Sequence, residues 1–195
     1  MLNVVERRDY VSTITKRALA QALKKIAGKK EINKITIADI TDKCGLNRQT
    51  FYYHFKDIYD LLEWIYMNEV IEKIEKSEID ENWQQGFLYV FDYIIKNKRF
   101  IYNTYNSISK DAFVKFMYKQ TDILFSNVIE NKAKGKNISE VDKKFVSDFY
   151  KFAFVGLIQD WIVKGMKEEP EDIINKLGVM LEGSFDTFID NLSSR

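Results

Sequence analysis

The sequence predicts an all-α protein, and three observations predict it. Its 195 residues include a single proline, Pro170, and only eight glycines, so little interrupts a helical course. Apolar residues recur at intervals of three and four through most of the chain. No segment alternates apolar and polar residues in the manner of a half-buried strand. The architecture these imply is a three-helix head carrying a helix-turn-helix, residues 1–56, followed by a helical bundle, residues 57–195.

The elements follow in order. A first helix is predicted from Ser12 to Ala27, with Ile14, Ala18, Ala22 and Ile26 four residues apart and Leu19 and Leu23 beside them; Gly28 stops it. Thr36 is a good N-cap for a second helix, with Asp39 three residues on where a carboxylate favours a helix start. Gly45 ends that helix after Cys44, and Asn47 caps a third, Arg48 to Phe55. A long fourth helix runs from Asp57 to about Lys76 with Ile58, Leu61, Leu62 and Ile65 on one face. Polar breaks at 77–82, 97–98, 133–137 and 165–169 separate further helices at about 83–96, 99–107, 110–132, 140–164 and 170–192. The last opens on Pro170, whose missing N–H is harmless in a first turn.

Composition narrows the class. Hydrophobic residues make up 46% and charged residues 30%, the balance of an ordered globular chain. No stretch approaches the roughly 18 apolar residues of a membrane span, and the opening residues do not read as a signal peptide, so a cytoplasmic location is expected, with no membrane partner. The one cysteine, Cys44, cannot form an internal disulfide or a zinc site and reads as a small packing residue. Charge is unevenly spread: residues 1–57 hold twelve Lys/Arg against six Asp/Glu, and the remainder holds 18 against 23. A basic front end points to a polyanion partner.

The chemistry concentrates in residues 36–55. Helix, glycine-bearing turn and second short helix form the geometry that presents one helix to the DNA major groove, about 12 Å wide. Phe51 and Phe55, four apart, anchor one face of the third helix; Arg48, Gln49 and Tyr52 lie on the other. The run Thr36-Ile37-Ala38-Asp39-Ile40, through Cys44-Gly45-Leu46, to Arg48-Gln49-Thr50-Phe51-Tyr52-Tyr53-His54-Phe55 resembles the DNA-binding head of the TetR family of bacterial regulators. Thr50, Tyr52, His54 and Phe55 are its most diagnostic residues, and the resemblance covers about residues 12–66. Further on, the run from Phe152 to Trp161, with Gly165 after it, is similar to a TetR branch that includes regulators of dihydroxyacetone kinase operons.

The resemblance implies that Arg48 and Gln49 face base edges while Thr36, Tyr52, His54 and Lys56 contact backbone phosphate. Where the family often carries a phosphate-binding lysine this chain has Ile58, and Lys56 takes over that role. Tyr52 and His54 have an alternative use in packing between the third and fourth helices. The function implied is a sequence-specific transcription regulator binding a double-stranded DNA operator, a repressor responsive to a ligand or a partner. An interaction module of the same fold, whose DNA binding is lost or conditional on a partner, is the alternative.

Aromatic residues crowd the middle, with 18 of 28 between 83 and 161. They suit an effector cavity, for which Tyr102, Tyr105, Tyr118, Tyr150, Gln159 and Trp161 supply polar ends; core packing accounts for each as well. A co-regulator protein is the other source of signal. The long apolar faces of the last two helices, among them Phe145, Phe149, Phe152, Leu181 and Phe185, predict a homodimer through a four-helix interface. Catalysis is not expected, and no cofactor or metal is implied: the only histidine lies in the third helix and no glycine-rich phosphate loop occurs.

Overall fold

A computed structural model describes residues 4–74, 83–107, 110–181 and 183–193. Among them every regular element is helical: α1 (Val4–Ala27), a single 3-10 turn (Ile32–Lys34), α2 (Ile37–Cys44), α3 (Arg48–His54), α4 (Ile58–Ile74), α5 (Trp83–Lys96), α6 (Lys98–Tyr105), α7 (Lys110–Ala133), α8 (Glu140–Val163), α9 (Pro170–Leu181) and α10 (Ser184–Ser193). The all-α class and the helix-turn-helix head with its helical bundle are as the sequence predicts. The predicted end of the fourth helix at 75–76 and the break at 77–82 lie outside the described residues. Two compact units emerge: residues 1–68 with 97–113, and residues 69–96 with 114–195.

The first unit is built around α1. Its inward face consists of Leu19, Ala22, Leu23 and Ala27, whereas Ile14, which the four-residue spacing places on that face, is exposed. Helix α1 also begins eight residues before Ser12. Ile40, Phe51, Phe55, Leu61, Leu62, Ile65 and Tyr66 complete the interior with Phe100 and Ile101 of α6. Tyr66 is fully buried and its phenol is satisfied there: the hydroxyl donates to Thr104 Oγ1 at 2.6 Å while the ring meets Phe100 and Phe113 at centroid distances of 5.8 and 5.4 Å. Asn103, one residue earlier on α6, donates its side-chain amide to the Ala27 carbonyl at 2.6 Å and to the Lys30 carbonyl at 3.1 Å. The Ala27 carbonyl is that of the last residue of α1, where no further helical turn follows, and Lys30 lies in the connection to α2.

The second unit is an aromatic core. Phe87 packs on Phe154 at 3.7 Å between centroids, Phe91 meets Trp161 edge-on at 4.9 Å, and Phe125 stacks on Tyr150 at 5.7 Å. Helix α10 is tied to the end of α7 by Lys132–Asp186 at 2.8 Å and Lys136–Asp190 at 2.6 Å. The structure corrects the single terminal helix predicted for 170–192. Gly183 adopts φ +71°, a left-handed conformation that a glycine takes without penalty, and the chain divides there into α9 and α10. Apolar periodicity persists across the break, which hides it from a pattern of spacings.

The break also sorts the apolar residues of this region. Phe185 points inward at 2% exposure, its ring 4.4 Å from Tyr150 and 6.3 Å from Phe125. It is therefore a core residue, not part of an outer stripe. Truncating Phe185 to alanine is expected to cost about 3–5 kcal/mol of folding stability. Urea denaturation monitored by circular dichroism at several protein concentrations checks this: the loss should be present at all of them, whereas an interface residue would show one that vanishes on dilution.

Candidate nucleic-acid interface

The site is two short helices held by side-chain caps. Thr36 opens α2 with a reciprocal pair: its hydroxyl accepts from the Asp39 amide at 3.2 Å, and Asp39 Oδ2 accepts from the Thr36 amide at 2.8 Å. The Thr36 hydroxyl and Lys30 Nζ add two further donors to the same oxygen, each at 2.9 Å. The Lys30 ammonium first, then the Thr36 amide and hydroxyl, hold the Asp39 carboxyl down to about 2, so it is ionised at any physiological pH.

Gly45 closes α2 at φ +68°, and the Leu46 amide turns back to the Thr41 carbonyl at 2.9 Å. Cys44 is half-buried beside this turn with its thiol donating to the Ile40 carbonyl at 3.2 Å, and burial pushes its pKa up, consistent with a packing role. Two residues on, Asn47 Oδ1 accepts from the Thr50 amide at 2.7 Å and starts α3. One face of α3 is then fixed by burial: Phe51 and Phe55 lie in the interior of the first unit, 5.9 Å apart, and Phe55 meets Trp64 edge-on at 6.0 Å.

The opposite face is open. Arg48 and Gln49 are exposed in the first turn of α3, Tyr52 is 60% exposed, and Lys56 is exposed just past its end. Thr36 is exposed at the start of α2. Five of the six predicted DNA-binding residues thus stand at the surface of one unit, on or beside the two short helices. His54 is the sixth and is half-buried, its Nδ1 3.5 Å from the Ser12 hydroxyl. Desolvation, and secondarily the Lys16 charge, lower its pKa, which leaves the imidazole neutral at pH 7. A neutral His54 can reach phosphate as a hydrogen-bond donor but not as a cation.

Tyr53 was not singled out by the sequence, yet at 83% it is the most exposed aromatic residue of this helix. Its ring stands edge-on to His54 at 4.9 Å. The signal was visible in the consecutive tyrosines, but the motif assigns only the residues on either side.

The six residues proposed for an effector cavity divide between the two units. Tyr102 and Tyr105 belong to the first unit, Tyr102 half exposed and Tyr105 buried with the Lys110 ammonium 4.7 Å over its ring. Tyr118, Tyr150, Gln159 and Trp161 belong to the second. There the Tyr150 hydroxyl is engaged with Ser184 Oγ at 3.0 Å, and the Trp161 indole donates to the Glu168 carbonyl at 2.8 Å. Tyr118 packs edge-on against Phe152. Two clefts in the second unit, of about 390 and 220 Å³, have other linings: the larger includes Leu88, Tyr89, Asp92 and Glu169, the smaller Asp122, Ser126, Lys143 and Ser147.

Comparison with known proteins agrees with the fold. Residues 15–65 match the family model described as bacterial regulatory proteins, tetR family, and residues 81–183 match one described as a transcriptional regulator C-terminal region. The chain is 28% identical over 170 residues to the HTH-type dhaKLM operon transcriptional activator DhaS of Lactococcus lactis, covering 85% of this chain and 90% of that protein. A solved structure of a dihydroxyacetone kinase operon activator DhaS superposes with a TM-score of 0.75 at 25% identity, covering 90% of this chain and 98% of the other. The fold is shared as well with the fatty acid degradation regulator FadR of Bacillus halodurans, with a TM-score of 0.62 at 15% identity over 85% of this chain and 93% of that one. No described helix is long and apolar enough to cross a membrane.

The Asp39 cap has a pH signature. Its folded pKa lies below the unfolded value of 3.8, so its contribution to stability is complete above about pH 4 and is lost as pH falls toward 2. The thermal midpoint should therefore fall between pH 4 and 2.5 more steeply in the wild type than in Asp39→Asn. Parallel profiles in the two proteins would remove Asp39 from the account.

Proposed function

Because the chain belongs to the TetR family of bacterial DNA-binding transcription regulators, we propose that α3 enters the major groove of an operator, with Arg48 and Gln49 on base edges. Thr36, Tyr52, His54 and Lys56 contact phosphate. The observation that carries this reading is the division of α3, with Phe51 and Phe55 buried on one face and Arg48, Gln49 and Tyr52 exposed on the other. Arginine pairs bidentately with guanine and glutamine with adenine, while hydroxyls and amines fix register on the backbone.

The division of labour is DNA binding by residues 1–56 and pairing and signal reception by residues 57–195, in the cytoplasm. Pairing is a homodimer through α8 with α9 and α10. Phe145 (70% exposed), Phe149, Phe152 and Leu157 on α8, Val179 and Met180 (73%) on α9 and Phe188 on α10 form apolar surface that a free protomer leaves in water. Nothing lies within 4 Å of a Cβ built on Gly156, so a second copy can approach α8 there. A two-fold dimer would set its two α3 helices on half-sites about 34–36 Å apart.

The signal is a small-molecule effector or a co-regulator protein, received among the aromatic residues that include Tyr102, Tyr105, Tyr118, Tyr150, Gln159 and Trp161. Repression relieved by that signal is the sign we infer; the similarity to DhaS, named as an activator, supports activation as a second reading. A reporter fused to the operator, read with and without the protein, decides between them.

DNA affinity across a salt series tests the placement of α3. Arg48→Ala should lose about 1–3 kcal/mol of preference for operator over random duplex. Lys56→Ala should weaken both duplexes alike and flatten the log–log salt slope by roughly 0.9 per half-site. The reverse assignment of effects would sink the proposed docking. For the dimer, Phe145→Glu or Met180→Lys should yield folded monomers by sedimentation, with operator affinity lower by about a hundred-fold or more as the second half-site is lost.

A further inference from the structure

We propose that Asn103, on α6, is a positioning residue for the phosphate-contacting start of α2. Nothing in the recognised DNA-binding motif includes it. Its side-chain amide donates at 2.6 and 3.1 Å to the carbonyls of Ala27 and Lys30, the last residue of α1 and a residue of the connection to α2. From Lys30 the path continues through its own side chain: Nζ donates to Asp39 Oδ2 at 2.9 Å, and that oxygen accepts from the Thr36 amide at 2.8 Å and hydroxyl at 2.9 Å. Thus Asn103 holds the backbone of Lys30, Lys30 holds the cap carboxylate, and the carboxylate orients Thr36.

The other end of the path is equally fixed. Thr104, the next residue on α6, receives the Tyr66 hydroxyl of α4 at 2.6 Å, and both side chains are wholly buried. Adjacent residues of α6 therefore grip α4 and the α1–α2 connection at once. All of these residues belong to the first compact unit, although 67 positions separate Asn103 from Thr36. Displacement of α6 by a signal would pull on the connection that sets where Thr36 meets phosphate, without touching α3.

This inference rests on the reading of Thr36 as a phosphate contact. The test compares wild type, Asn103→Ala, Asn103→Asp, Lys30→Met and the double variant Asn103→Ala/Lys30→Met. Affinities for operator and random duplexes are measured across a salt series, with thermal midpoints in parallel. Asn103→Asp keeps the shape but replaces the donor with an acceptor. Each single variant should weaken both duplexes by about three- to ten-fold, the worth of one hydrogen bond, with operator preference and salt slope unchanged. The double variant should bind no more weakly than the worse single one, because both act through one path.

Multiplicative losses in the double variant would overturn the proposal. So would Asn103 variants that melt earlier yet bind within two-fold of wild type, since Asn103 would then only cap α1. A flattened slope for Lys30→Met would also overturn it, by making Lys30 itself a phosphate contact. If the Asn103 variants fail to fold, Lys30→Met carries the test: binding of both duplexes within two-fold of wild type, or a flattened slope, overturns the proposal. A wild type without operator affinity overturns the DNA reading and this inference with it; a wild type that binds, beside indifferent variants, overturns this inference only.

Discussion

Helices of eight and seven residues are too short to be stable alone in water, and the candidate DNA-facing surface is made of two of them. What holds α3 is the burial of Phe51 and Phe55 in an interior that also holds Leu19, Leu23 and Ile40, and everything that follows depends on it. Burying one face decides which residues remain outside. With the phenylalanines four positions apart and inward, Arg48, Gln49 and Tyr52 have nowhere to go but the surface. The exposure of these proposed recognition residues is thus a by-product of a packing constraint.

Caps supply the second layer of order. Thr36, Asp39 and Asn47 satisfy amides that such short helices would otherwise leave exposed, and Gly45 provides the left-handed residue between them. The polar groups that shape the site are therefore mostly occupied with backbone. The bulk of the second unit follows a different logic, where edge-on and stacked rings of Phe87, Phe91, Phe125, Tyr150, Phe154, Trp161 and Phe185 fill the interior.

This difference explains what was legible in the sequence. The caps at Thr36 and Asn47, the stop at Gly45 and the faces of α3 are local, set by residues within four positions of one another, and could be read directly. The break at Gly183 is local too, but apolar spacing continues from Met180 through Phe185 to Phe188 and masks it. Spacing alone also could not say that Phe185 faces inward while Met180 and Phe188 face out. Asn103 was beyond reach, because its partners lie 73 and 76 positions away and an asparagine mid-chain carries no distinguishing pattern. The polar ends of tyrosines and a tryptophan offered as cavity residues were illegible for a related reason: they find partners, such as Ser184 for Tyr150 and the Glu168 carbonyl for Trp161, that no periodicity specifies.

The first compact unit is discontinuous, with residues 97–113 completing what residues 1–68 begin. That has a consequence for biosynthesis. As the chain leaves the ribosome, the helix-turn-helix emerges early, but Tyr66 has neither Phe100 nor Phe113 to pack against and Ala27 lacks its Asn103 donor until some forty further residues have been made. Sequence-distant closure of this kind delays folding. The helix-turn-helix unit of the nascent protein is thus finished only when residues 97–113 already exist, so a prematurely terminated product ending near residue 66 would carry α2 and α3 without the enclosure that steadies them.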